Sequence, residues 1–201
     1  MIKKINFYNW RIILMSIERI AEFEKLEKED YIKAFLEDYI KDFLEREDYY
    51  SEKEIVTKIA TDCYNNITIP VRATMGSAGY DFVIPYDVVI RPGCTCLVLT
   101  GIRCKMDEGW VLNIYPRSSL GFKYRCQLDN TVGIIDQDYY YSDNKGHIMI
   151  KITNDSKENK DMILKAGDRF AQGVFTRYGI TYSDNATNIR NGGIGSTSDK
   201  R

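Results

Sequence analysis

The chain has 201 residues, 44% of them hydrophobic, and 28 Lys and Arg against 29 Asp and Glu give a formal net charge of -1. That length allows one domain with a sizeable core, or one domain with an appendage. The charge balance argues against a protein that coats nucleic acid, so any phosphate chemistry must come from a few placed cations.

Residues 1–16 read as an N-terminal extension. Their apolar run, Ile12-Ile13-Leu14-Met15, is too short for a signal peptide or a membrane span, and Met15 is an alternative start. A soluble, cytoplasmic protein with no membrane partner is expected. Ile17 to Leu26 reads as a first strand. Tyr31, Phe35, Tyr39 and Phe43 then recur at helical spacing, with Lys33, Glu37, Lys41 and Glu45 on another side. A second helix is expected to open at Ser51, with Glu54 completing a capping box and Ile55, Ile59 and Cys63 on one face.

All 14 glycines and all four prolines lie beyond residue 65, so the character of the chain changes there. From Ile67 onward short alternating stretches predict strands, as in Trp110-Val111-Leu112-Asn113-Ile114 and His147-Ile148-Met149-Ile150-Lys151-Ile152. Arg91-Pro92-Gly93, Asp107-Glu108-Gly109 and Lys165-Ala166-Gly167-Asp168 punctuate them as turns. Many short strands without interleaved helices predict a mainly β fold, closed or double-sheeted, with the helices of about 28–64 as an insertion. His147 reads as a surface or packing residue. Cys63, Cys94, Cys96, Cys104 and Cys126 have no CxxC spacing, so they read as reduced core filler and a zinc site is not expected.

Five segments carry chemistry. Asn130-Thr131-Val132-Gly133-Ile134-Ile135-Asp136 reads as a tight hairpin with glycine at its bend and a partly desolvated carboxylate after it, able to orient a water. Tyr139 follows. Ala78-Gly79-Tyr80-Asp81 is a turn entering a strand, and Pro116-Arg117-Ser118-Ser119-Leu120-Gly121 offers a guanidinium fork and two hydroxyls at a strand end. Ala166-Gly167-Asp168-Arg169-Phe170-Ala171-Gln172 is another turn entering a strand. The tail Arg190-Asn191-Gly192-Gly193-Ile194-Gly195-Ser196-Thr197 is glycine-rich without the lysine of a Walker loop, and 186–201 reads as a flexible C-terminal lid. Each segment alone also has a plain reading as a turn, a solvated arginine or a loose terminus.

In this order the five segments resemble the five motifs of the trimeric dUTPase family, over roughly residues 67 to 198 and within a domain of 17–198. The resemblance implies a jelly-roll-like β-clip fold and a homotrimer with active sites at subunit interfaces. It also implies hydrolysis of dUTP to dUMP and pyrophosphate with Mg2+. Asp136 matches the catalytic carboxylate that deprotonates water at the α-phosphorus, and Tyr139 the ring that packs on the deoxyribose. Asn130 and Gly133 match the uracil-binding segment, which leaves no space for the methyl of thymine. Arg117, Ser118, Ser119 and Gln172 match groups that hold the triphosphate. Asp81 matches an acid near the metal, acting through water only. Arg190 matches the group that reaches the terminal phosphate, and Gly193, Ile194, Gly195 and Ser196 belong to the closing tail.

Three departures stand out. Ile194 occupies the place of a phenylalanine that stacks on the base, and an isoleucine covers without stacking. The segment Tyr139 to Gly146 is longer than the usual Tyr-Arg-Gly. The helical insertion lies outside the minimal family pattern and either caps the β fold or binds a protein partner. Two rival readings remain at this point: a dCTP deaminase-like enzyme of the same fold, and a nucleotide-gated signalling protein of phage type.

Overall fold

The computed structural model describes residues 17–41 and 49–192. The N-terminal extension, Phe43, the linking charges and the tail from Gly193 onward lie outside the described residues. Four sheets are present among the described residues. The largest orders β2 (Val71–Arg72), β3 (Tyr80–Val83), β12 (Arg169–Arg177), β7 (Trp110–Pro116) and β9 (Gly133–Ile135). A second joins β5 (Thr95–Leu99), β10 (Met149–Thr153) and β8 (Gln127–Leu128). β1 (Ala21–Lys25) pairs with β6 (Ile102–Met106), and β4 (Val88–Ile90) with β11 (Met162–Leu164). Every pairing is antiparallel, so one face of each strand can line the core while the other meets water.

The alternations in the sequence explain which side chains enter that core. Leu112 and Ile114 of β7, and Ile150 and Ile152 of β10, are buried, as is Ile148 just before β10. They meet Phe82, Met162 and Phe170 in one continuous cluster. Phe23 of β1 binds the layers together, its ring 5.3 Å from Tyr80, 5.8 Å from Phe82 and 5.7 Å from Phe175. β1 therefore belongs to the β fold although two helices follow it.

Those helices, α1 (Lys28–Lys41) and α2 (Tyr49–Asn66), lie between β1 and β2. Tyr31, Phe35 and Tyr64 point inward. Tyr31 is fully buried, its ring 5.7 Å from Tyr64 and 6.1 Å from His147, and Phe35 sits edge-on to Tyr86 at 6.2 Å. The Tyr64 hydroxyl donates to the Leu26 carbonyl at 2.8 Å. The insertion thus caps one region of the β core. Two expectations for α2 are corrected. The helix begins at Tyr49, two residues before Ser51, so Ser51 is no terminal cap. Its buried face is Val56, Ala60 and Cys63, with Ile67 buried just past its end, whereas Ile55 and Ile59 are 62% and 48% exposed. The side of α2 that turns inward is set by its packing, chiefly against α1, and apolarity alone does not reveal it.

His147 is buried, and its Nε2 accepts the backbone N–H of Gly101 at 2.9 Å. Burial pushes its imidazole down to about 4, so it is neutral in the folded protein. The folded value lies below the unfolded one, so the stabilisation is complete above the ordinary histidine range and lost as pH falls from about 6.5 toward 4. The loss amounts to roughly 3 kcal/mol. Chemical denaturation at pH 7.5 and pH 4.5 should show it, and His147→Gln should flatten the difference.

Candidate functional site

The segment that carries Asn130 is not a paired hairpin. β8 joins β10, with Leu128 opposite Ile152, whereas β9 joins β7, with Gly133 opposite Ile114. The two arms enter different sheets and leave a cavity of about 480 Å³ between them. Its floor is apolar, from Ile114, Leu128, Ile148 and Ile150, and its rim carries Asn130, Tyr139 and Arg190. The bend also falls elsewhere than expected. Thr131 takes φ 65°, and its N–H donates to Leu128 at 2.9 Å, while Gly133 starts β9. Gly133 is required for packing: an added Cβ would stand 3.1 Å from the Cβ of Ile114.

Asp136 follows β9 and precedes the 3-10 turn Gln137–Tyr141. Its carboxylate does not cap that turn and is 49% exposed, more open than the apolar run before it suggested. Arg190 holds it: one guanidinium nitrogen pairs with Asp136 and another with Asp138 at 2.8 Å. The same guanidinium lies 5.9 Å from the centre of the Tyr139 ring. Asp138, which lies within the motif segment without a role of its own there, is thus a second carboxylate partner of Arg190.

Tyr139 is buried and fixed at its far end. Its hydroxyl donates to the His147 carbonyl at 2.8 Å and accepts from Asn144 Nδ2 at 2.8 Å, and burial pushes its pKa up, keeping it neutral. The long segment after Tyr139 accounts for this. Ser142 Oγ contacts Asn144 Oδ1 at 2.7 Å, Tyr140 donates to Glu24 at 2.8 Å, and Arg103 covers the Tyr140 ring at 4.5 Å. Gly146 closes the loop at φ 74°, where a Cβ would lie 2.8 Å from Tyr140 Cα. Gly146→Ala should therefore cost about 2 kcal/mol, read as a lower denaturation midpoint.

A second cluster gathers Asp81, Arg117, Arg169 and Gln172. Asp81 sits opposite Gln172 in the β3–β12 ladder, and Gln172 is opposite Tyr115 of β7. The buried Asp81 carboxylate meets Arg117 Nη1 at 3.5 Å and Arg169 Nη1 at 3.2 Å. Gln172 Nε2 donates to the Pro116 carbonyl at 3.5 Å, and Gly79 leaves room for it, since a Cβ there would lie 2.8 Å from its Oε1. Arg117 precedes the short helix α3 (Ser118–Tyr124), in which Ser118 and Ser119 face solvent and Leu120 anchors the turn. Arg169, within the segment that leads to Gln172, is a second cation on Asp81.

The two clusters stand apart. Asp136 follows Ile135, which pairs with Leu112, so it lies beside the start of β7, whereas Arg117 follows that strand's other end. Six residues of strand separate them, about 20 Å. Within one chain the cluster of Asp81, Arg117 and Arg169 is too far from Asp136 for both to touch the same small group.

The antiparallel β fold thus presents an apolar cavity whose lining Arg190 is paired with Asp136, and a separate cluster of Asp81, Arg117 and Arg169. A family model described as dUTPase matches residues 65–198. A Lactococcus lactis deoxyuridine 5'-triphosphate nucleotidohydrolase is 40% identical over 149 residues, 72% of this chain and 95% of that protein. A Shewanella putrefaciens protein of the same name is 42% identical over 53% of this chain and 68% of its own length. A Streptococcus mutans dUTPase structure aligns with TM-score 0.52 and 37% identity, covering 58% of this chain and 90% of its own. A mutant dUTPase from phage phi11 of S. aureus, 20% identical with TM-score 0.50 over 62% and 92% of the two chains, shows the fold alone. The chain belongs to the dUTPase family.

Proposed function

We propose that this protein hydrolyses dUTP to dUMP and pyrophosphate, with Asp136 as the base that takes a proton from the attacking water. The observation that carries the reading is the pairing of Asp136 with Arg190, which lines the cavity together with Asn130, Gly133 and Tyr139. The uracil enters between the arms of the Asn130 segment, and the deoxyribose lies on Tyr139. Water then attacks the α-phosphorus, the bond to the bridging oxygen breaks, and pyrophosphate leaves.

The separation of Asp136 from Arg117 gives this reading a quaternary consequence. A second copy must bring its Asp81, Arg117, Ser118, Ser119 and Gln172 to the first copy's Asp136, so the working unit is an oligomer with shared sites. A homotrimer, the family's arrangement, meets that need. Arg190 serves the terminal phosphate, and its present bonds to Asp136 and Asp138 must open for it to do so. Phosphate oxygens replace carboxylates as its partners. The tail residues Gly193, Ile194, Gly195 and Ser196 close over the nucleotide in the same reading.

Magnesium fits in one way only. No group of three or more metal-type ligands occurs among the described residues, and both Asp81 oxygens are already engaged by arginines. The residues suit an ion carried on the substrate's phosphates, with Asp81 near it through water. When bound, Mg2+ supplies charge neutralisation to the departing pyrophosphate.

No helix among the described residues is long and apolar enough to cross a membrane, and the five cysteines are unpaired. Free thiols support a cytoplasmic placement. Release of pyrophosphate from dUTP, with dCTP as the comparison, tests the reaction. Ammonia release from dCTP, the chemistry of a deaminase, would overturn it. The family match favours the diphosphatase over that rival and over a purely signalling role.

A further inference from the structure

The turn that presents Asn130 holds a β-branched residue, Thr131, at φ 65°. That conformation is costly for threonine and persists only where neighbouring bonds fix the turn. Within it, Val132 N–H bonds to the Asn130 carbonyl at 2.7 Å. The fixing contacts come from strand β10. Asp129, next to Asn130, donates its N–H to the Lys151 carbonyl at 3.1 Å. Its carboxylate accepts the Thr153 hydroxyl on one oxygen and meets Lys151 Nζ at 3.1 Å on the other. Partial burial pushes the Asp129 carboxyl up, but the Thr153 hydroxyl and the Lys151 ammonium outweigh it and hold it below its ordinary value. Asp129 is therefore ionised at neutral pH. Asp129 and Lys151 also line the same cavity as Asn130 and Gly133.

We infer that Asp129 is a positioning residue for base selection, clamping the Asn130 turn to β10 through Thr153 and Lys151 so that the cavity keeps the width of an unmethylated pyrimidine. This rests on the reading of the cavity as the uracil site. The clamp acts on the turn and not on Asp136, which leaves from the opposite end of β9. Loosening it should therefore weaken base binding and discrimination while leaving the chemical step largely intact.

The test compares Asp129→Ala, Thr153→Val, Thr153→Ser and Asn130→Ala in the full-length enzyme, with dUTP and dTTP as substrates. Asp129→Ala and Thr153→Val should each raise KM for dUTP by about tenfold, with a small change in kcat. Both should also narrow the ratio of kcat/KM for dUTP over dTTP. Thr153→Ser, which keeps the hydroxyl, should recover most of what Thr153→Val loses. A purely structural role would lower the melting temperature of Thr153→Val without moving the dUTP to dTTP ratio, and that result would overturn the inference. If Asn130→Ala raises KM while the two clamp variants do not, the clamp alone is wrong. If Asn130→Ala also has no effect, the cavity is not the base site and both readings fall.

Discussion

Asp136→Asn is expected to lower kcat for dUTP by roughly 10²–10⁴-fold while leaving nucleotide binding nearly intact. Asparagine preserves the shape and still offers a carbonyl to Arg190, but it cannot take a proton from water. The carboxylate is half open and its neighbours are Arg190 and the end of β9, so its removal leaves no buried unpaired charge. The fold should survive, and a titration with dUTP monitored calorimetrically should give a dissociation constant close to that of the parent. Persistent turnover would mean that another group is the base, with Asp138 the first to test.

The second large effect is expected from Arg117→Ala. Its guanidinium is one of two that flank Asp81, and it stands at the end of β7 beside the exposed Ser118 and Ser119. Loss of a preorganised cation aimed at phosphate oxygens should reduce kcat/KM by about 10²–10³-fold. Asp81 keeps Arg169 at 3.2 Å, so the variant should remain folded. Arg117→Lys should recover only part of the loss, because an ammonium cannot present two parallel donors to a phosphate. Full activity in Arg117→Ala would remove this cluster from the triphosphate site.

Much of this arrangement is legible in the sequence because it is local. The alternation around Leu112 and Ile114 places β7, and the i to i+4 aromatics place α1, since periodicity reports which side faces a core. The order of short motifs points to the family. What sequence does not show is where strands go after they are formed. Leu128 and Gly133 read as two arms of one hairpin, but they pair with Ile152 and Ile114 in different sheets, and the cavity exists because of that divergence. The buried face of α2 is hidden from the sequence for a related reason. Ala60 is buried while Ile55 and Ile59 are exposed, because α2 packs chiefly against α1 and the side it turns inward is set only in the folded chain. Likewise, Arg169 and Asp138 become partners of Asp81 and Arg190 only once the chain is folded.

The sharing of each active site between copies of the chain is the central claim, because one chain holds Asp136 and Arg117 about 20 Å apart along β7. The most direct measurement mixes Asp136→Asn and Arg117→Ala proteins, each nearly inactive, after joint denaturation and refolding in equal amounts. An interface that takes Asp136 from one subunit and Arg117 from another will be intact in about one quarter of the sites if subunits combine at random. The mixture should then regain about one quarter of the parent's dUTP turnover. A mixture that remains as inactive as its components would show that both residues must come from the same chain, and would contradict the account.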